Sequence, residues 1–156
     1  MKNEFLKMVN ENQNIIHKVC RIYRNSAEDQ EDLFQEIVFQ LWKSYPSFRK
    51  ESKASTWMYR IALNTALSSF RKNSPQIDYH GEVPEKTDPK YEQVATENEE
   101  KLFGAIRQLN DAEKAIISLF LEDYSYKEIG ELIGISESNV GVRINRIKTK
   151  LKTILN

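Results

Sequence analysis

The run NSPQIDYHGEVPEKTDPKYEQ, Asn73 to Gln93, constrains the fold more than any other stretch. It holds three of the chain's four prolines, one glycine and few large apolar residues, so neither a helix nor a strand is expected to run through it. A chain of 156 residues is thereby cut into two short pieces. Some twenty residues, fully extended, reach roughly 65 Å. Each piece is near the lower size limit for folding alone, so docking onto a larger partner would help both.

On either side of this run apolar residues recur at helical spacing, and no stretch alternates as a strand would. The spacing predicts helices at about 3–24, 28–45, 54–72, 93–109, 111–122, 126–133 and 137–154. NSAEDQED, Asn25 to Asp32, supplies a cap and early acids for the second helix. Pro46 should end that helix, and Ser55 or Thr56 should cap the third. The expected fold is all-α. A three-helix bundle within 1–74 and a four-helix bundle within 95–156 are joined by a flexible acidic linker, 75–94.

Composition narrows the function classes. The charged fraction is 29% and the hydrophobic fraction 40%, which suits a soluble globular protein. Nothing approaches the run of about 18 apolar residues that a membrane span needs, and MKNEFLKMVNENQN lacks a signal peptide's apolar segment. Cys20 is the only cysteine, so no intrachain disulfide forms and a reducing cytoplasm is the natural setting. With two histidines and one cysteine there is no zinc cluster. Paired carboxylates with a histidine and glycine-rich phosphate loops are also missing, so the expectation is a non-enzyme without cofactor or metal. His17 and Cys20 share a helix, but nothing marks a site around them.

The net charge is zero, yet the charges come in blocks. Glu28 to Trp42 carries five acids and no base, and Lys43 to Lys72 carries seven bases and one acid. Glu82 to Glu100 then has seven acids and two bases, and the tail from Arg143 has five bases and no acid. Such alternation suits a chain that touches nucleic acid in two places and something else between them. Taken singly, each block also fits an ordinary solvated helix face.

YSYKEIGELIGISESNVGVRINRIK reads as a helix-turn-helix. The first helix, Tyr126 to Ile133, packs through Ile129 and Ile133, and Gly130 permits close approach of the second. Gly134 can turn left-handed, Ile135 plugs the corner and Ser136 caps the second helix. Val140, Ile144, Ile147 and Leu151 give that helix one buried stripe. Ser138, Asn139, Val142, Arg143, Asn145, Arg146, Thr149 and Lys150 point outward, with side chains able to hold phosphates or read base edges. The alternative is a plain helical hairpin with a basic end. Gly141, inside a helix, costs about 1 kcal/mol relative to alanine; close approach to a DNA backbone would explain it.

The first bundle shows two further faces. In ASTWMYRIALNTALSSFRK, Tyr59, Ala62, Leu63, Ala66 and Phe70 form the core stripe. Trp57, Arg60, Asn64, Ser68 and Arg71 recur at three, four, four and three on the other side, where a core needs no such residues. In DQEDLFQEIVFQLW the core stripe is Leu33, Phe34, Ile37, Val38 and Leu41. Asp32, Gln35, Glu36 and Phe39 lie elsewhere, a phenylalanine among acids that fits a protein-binding patch or a singly exposed aromatic.

DLFQE, YPSF, STWMYRIALN, a proline-rich gap and SYKEIGELIGISESNVGVRI, in that order, resemble a bacterial RNA polymerase sigma factor. The two-domain layout resembles the extracytoplasmic-function (ECF) group, which keeps only regions 2 and 4. The resemblance covers nearly the whole chain except the linker. It implies that Asp32, Gln35, Glu36 and Phe39 bind the clamp coiled coil of the β′ subunit, with the β flap as a further contact. It implies that Phe48, Arg49, Lys50, Lys53 and Ser55 belong to the loop that captures a base flipped from the −10 element. Trp57, Arg60, Asn64, Ser68, Arg71 and Lys72 would engage that element as it opens. The helix from Glu137 would read the −35 element through Ser138, Asn139, Val142, Arg143, Asn145, Arg146 and Lys150. Gly141 and Val142 stand where the family commonly carries Lys-Ser or Lys-Thr. An anti-sigma factor is the further implied partner. The acidic linker would tether the two units and occupy the polymerase's RNA path.

Melting supplies the physical reason for an aromatic, basic non-core face. A protein that opens DNA without ATP must stabilise the unpaired strand more than the duplex. Stacking on an aromatic ring contributes about 1–3 kcal/mol per base, and only once the base is unstacked. Trp57 and Phe48 supply flat surface, Asn64 an amide, and Arg60, Arg71 and Lys72 charge. Trp57 could equally seal a second small core against the first helix. A self-sufficient dimeric helix-turn-helix regulator remains the competing reading.

Overall fold

The structure, a computed structural model, describes residues 2–50, 53–71 and 96–156, without the side chains at 69–71. The described residues form helices and no strand: α1 (Lys2–Glu11), α2 (Gln13–Tyr23), α3 (Ala27–Ser44), a 3₁₀ turn (Tyr45–Ser47), α4 (Ala54–Arg71), α5 (Glu97–Arg107), α6 (Asp111–Leu121), α7 (Tyr126–Ile133) and α8 (Glu137–Leu155). They fall into two compact units, within Met1–Gln93 and Val94–Asn156. The linker expected at 75–94 lies outside the described residues, as do Lys72 and the side chains of Phe70 and Arg71.

In the first unit α2, α3 and α4 pack pairwise. Ile16, Val19, Leu33, Ile37, Leu41, Met58, Tyr59, Ala62 and Ala66 fill the space between them. This confirms the core stripe expected for α4 from Tyr59 to Ala66 and adds Met58, which is fully buried. The single helix expected at 3–24 is two helices, so the described residues of the unit form four helices rather than three. Asn12 is the cause. Its backbone N–H donates to the Val9 carbonyl at 3.1 Å and its side-chain amide donates to the Met8 carbonyl at 2.9 Å. Short amide side chains offer the backbone such alternatives to the helix ladder. The break lets α1 swing its own apolar residues, Phe5 and Val9, into full burial.

Ser26 caps α3 by accepting from the Asp29 N–H at 3.0 Å. The helix ends at Ser44, and Pro46 lies in the 3₁₀ turn that follows. α4 begins at Ala54, where the Trp57 N–H donates to the Lys53 carbonyl at 3.1 Å. Ser55 and Thr56 are therefore first-turn residues and neither occupies the cap position.

The second unit is capped at every start. Thr96, Asn110, Ser125 and Ser136 each accept a backbone N–H three residues on. Asn110 with Glu113 and Ser125 with Glu128 form reciprocal capping boxes. Thr96 moves the start of α5 to Glu97, four residues beyond the expected position. α7 ends on Gly134 at φ 88°, the left-handed region that glycine enters freely. A Cβ on Gly130 would sit 2.6 Å from the Ile135 carbonyl oxygen, so the corner closes only over a bare Cα. α8 buries Val140, Ile144, Ile147 and Leu151 as its spacing predicts.

Candidate nucleic-acid interface

On α4 the non-core stripe is accessible. Arg60, Asn64 and Ser68 are exposed and Trp57 is half-buried. The indole stacks on Phe48, with centroids 4.6 Å apart and planes at 24°. Phe48 is itself half-buried, while Arg49, Lys50 and Lys53 are exposed and Ser55 is half-buried. Lys50 takes φ 58°, a conformation that costs an L-residue roughly 1–2 kcal/mol. It turns the backbone two residues beyond the stacked ring. Exposed Arg49, Lys50, Lys53 and Arg60 thus flank a stacked aromatic pair in sequence, and exposed Asn64 follows one turn beyond Arg60 on α4.

Trp57 does not divide between the two roles the sequence left open. One side of it faces a second aromatic group: its ring lies 6.4 Å from Tyr45. Tyr45 meets Phe5 of α1 edge-on at 5.3 Å, and Phe5 meets Trp42 at 4.9 Å. The indole therefore joins a small core while staying only half-buried. Sequence reasoning missed Tyr45, Phe5 and Trp42 as members of this group. The available signal was YPSF, in which a tight turn brings residue 45 back to residue 48.

Asp32, Gln35, Glu36 and Phe39 lie along one face of α3 at steps of three or four. Asp32 and Gln35 are exposed, Glu36 and Phe39 half-buried. Burial raises the pKa of the Glu36 carboxyl above its ordinary value, and the charge of Arg24 partly opposes that. His17 stacks on Phe34 at 4.6 Å, and burial with the nearby Arg21 charge holds its pKa below the usual value. Cys20 is buried and its thiol is pushed up to about 12, so it is inert at neutral pH.

On α8, Ser138, Asn139, Val142, Asn145 and Arg146 are exposed and Arg143 is half-buried, all off the apolar stripe. Val142 is among the exposed large hydrophobic residues, with 48% of its surface accessible. Lys150 departs from expectation. Its ammonium donates to Glu113 Oε2 at 2.6 Å, while Glu113 Oε1 accepts the Asn110 N–H at 3.1 Å. One carboxylate thus caps α6 and ties α8 to it. Burial disfavours that charge, yet the bonds from Lys150 and Asn110 outweigh it and lower the Glu113 pKa. Gly141 also departs. A Cβ there would meet the Tyr126 ring at 3.4 and 3.6 Å, so its bare side faces α7.

Two helical units, one with an aromatic and basic helix face and one with a capped helix-turn-helix, define a class of transcription factor. The model of Sigma-70 region 2 matches residues 8–76, and that of Sigma-70, region 4 matches residues 99–151. The ECF RNA polymerase sigma-E factor of Haemophilus influenzae is 32% identical, over 97% of this chain and 87% of the relative. The ECF RNA polymerase sigma factor SigW of Bacillus subtilis is 27% identical, over 88% and 81%. The chain belongs to the ECF group of the sigma-70 family. It is a sigma factor, which directs RNA polymerase to promoters.

Solved structures share the fold. The sigma factor RpoE of Bartonella quintana, in complex with the anti-sigma factor NepR, gives a TM-score of 0.72 at 17% identity, over 97% of this chain and 96% of that one. CnrH, in complex with the cytosolic domain of CnrY, gives 0.70 at 18% identity, over 99% and 89%.

Proposed function

We propose that the first unit captures the opened −10 strand on the surface around Trp57, while α8 reads the −35 element as duplex. The observation that carries this reading is the exposed stripe Arg60, Asn64 and Ser68, continuous with a half-buried Trp57 stacked on Phe48. Extruding a base costs a few kcal/mol, and stacking returns about 1–3 kcal/mol once the base is out. Arg49, Lys50, Lys53 and Arg60 neutralise phosphates, with Arg71 and Lys72 adding charge further along the sequence, and Ser55 and Asn64 offer polar contacts. In the second unit Ser138, Asn139, Val142, Arg143, Asn145 and Arg146 supply base and phosphate contacts. Lys150 contributes by holding α8 in place through Glu113.

Asp32, Gln35, Glu36 and Phe39 form the contact with the polymerase clamp, and the β flap is the second contact with core. An anti-sigma factor that occupies these surfaces is a further partner. Residues 75–94 act as an acidic tether spanning the distance between the two promoter elements. The protein works in the bacterial cytoplasm as a non-enzymatic factor. Among the described residues no helix is long and apolar enough to cross a membrane.

Trp57→Ala tests the central point. Promoter opening by the reconstituted holoenzyme, followed by permanganate reactivity of the −10 thymines, should fall roughly ten- to a hundredfold, as loss of one stacked base implies. Closed-complex formation on duplex should change little. Equal loss in both measurements would remove the melting role. Gel shifts with and without core polymerase separate this function from that of a dimeric regulator, which would bind its site tightly by itself.

A further inference from the structure

Tyr45 belongs to no contact so far assigned to DNA or polymerase, yet the melting surface is built from it on two sides. Its backbone carbonyl accepts the Phe48 N–H at 3.0 Å. Its ring lies 6.4 Å from the Trp57 ring at an interplanar angle of 57°. The two members of the stacked pair, one in the loop and one on α4, are thus fixed from a single residue. That residue is anchored in turn. The Ser47 hydroxyl donates to the Ser44 carbonyl at 2.8 Å, closing the 3₁₀ turn, and Pro46 restricts its backbone. The Tyr45 ring rests edge-on against Phe5, which has no accessible surface and also supports Trp42.

We propose that Tyr45 is a positioning residue for promoter opening, holding Phe48 and Trp57 in their stacked arrangement before DNA arrives. The inference rests on the melting role proposed above for Trp57. Half-buried rings without lateral support sample several rotamers. A base arriving at such rings must order them as it stacks, and that ordering opposes the opening step alone. Duplex capture through phosphates needs no ordered ring, so it is untouched. Phe5 extends the same support to α1, which places the N-terminal helix behind the melting surface although it carries none of the DNA-contact residues.

The test uses the full chain with core polymerase and three variants, Tyr45→Leu, Tyr45→Phe and Trp57→Ala. Opening is read from a fluorescent adenine analogue in the −10 element, and closed-complex binding from a gel shift at low temperature. Tyr45→Leu should slow opening roughly five- to tenfold, the cost of immobilising one or two side chains anew. It should leave closed-complex binding within twofold, and Tyr45→Phe should restore opening because the ring, not the hydroxyl, makes the contact with Trp57. A second measurement needs no polymerase. In a Trp42→Phe background Trp57 is the remaining tryptophan, and Tyr45→Leu should at least double its acrylamide quenching while Tyr45→Phe leaves it unchanged.

Wild-type opening by Tyr45→Leu, equal loss of opening and binding, or no rescue by Tyr45→Phe would each overturn the proposal. If Tyr45→Leu fails to fold, Phe5→Leu replaces it with the same expectations. Impaired opening in Trp57→Ala with normal opening in Tyr45→Leu sinks the positioning role and spares the melting role. Normal opening in both sinks the melting role first.

Discussion

The two units present the helices proposed to contact DNA by opposite means. α8 is held mainly by local devices, the Ser136 cap, the left-handed Gly134 and the bare Cα of Gly130, with one long-range tie from Lys150 to Glu113. The exposed face of α4 instead depends on rings contributed by α1, the end of α3 and the turn after it. A reader of intact duplex needs a rigid helix, which caps and turns supply. A surface for unpaired bases needs flat, partly accessible aromatic area, and in water that area stays ordered only if other rings support it.

The contrast breaks most readily at Gly130. Gly130→Ala places a methyl group 2.6 Å from a backbone carbonyl, which should cost about 3 kcal/mol, the upper end of overpacking. Denaturant unfolding should show the second unit lost first. Alkylation of the buried Cys20 thiol at pH 8, slow while the first unit is folded, should stay at the wild-type rate. Acceleration would mean that the units are not independent.

Removing one cap from each unit sharpens the comparison. Ser26→Ala and Ser136→Ala should each cost about 1 kcal/mol. Only the second should weaken binding to a −35 duplex, because it frays the end of α8 that carries Ser138 and Asn139. A smaller effect of opposite sign is expected at Gly141. A Cβ there makes ordinary contact with Tyr126, so Gly141→Ala should stabilise the second unit by up to about 1 kcal/mol, the helix-propensity gain. Duplex affinity should hold. Destabilisation or lost affinity would restore a functional reason for the glycine.

The smallest effect belongs to Glu113. Its pKa is lower folded than unfolded, so its contribution is full above the unfolded value, about 4.3. It is lost as pH falls through the folded value. Glu113→Gln should therefore flatten the acid limb of the second unit's stability by a few tenths of a kcal/mol, the size of an ion pair whose lysine is solvent-exposed. The same tie bears on DNA. Arg146→Ala should reduce the salt slope of −35 binding by about 0.9, while Lys150→Ala should leave it unchanged.

Much of this was legible in the residues. Ser136, Gly134, the stripe from Val140 to Leu151 and the outward set from Ser138 to Arg146 follow from rules that act within a few residues of each other. The α4 stripe was legible for the same reason, since helical spacing alone separates Arg60 and Asn64 from Ala62 and Ala66. The break at Asn12 was not. NENQN permits either a continuous helix or two, and burial of Phe5 and Val9 accompanies the second choice. The role of Gly141 was misplaced because its neighbour, Tyr126, is distant in sequence.

Sequence by itself determined the helical periods, the Ser136 cap, the two-part division and the family. Tertiary structure decided which exposed-looking residues were already engaged: Lys150 with Glu113, Trp57 with Phe48 and Tyr45. Spacing along a helix fixes the direction in which a side chain leaves its own backbone. What it meets there depends on another segment, brought close only when apolar faces are buried together.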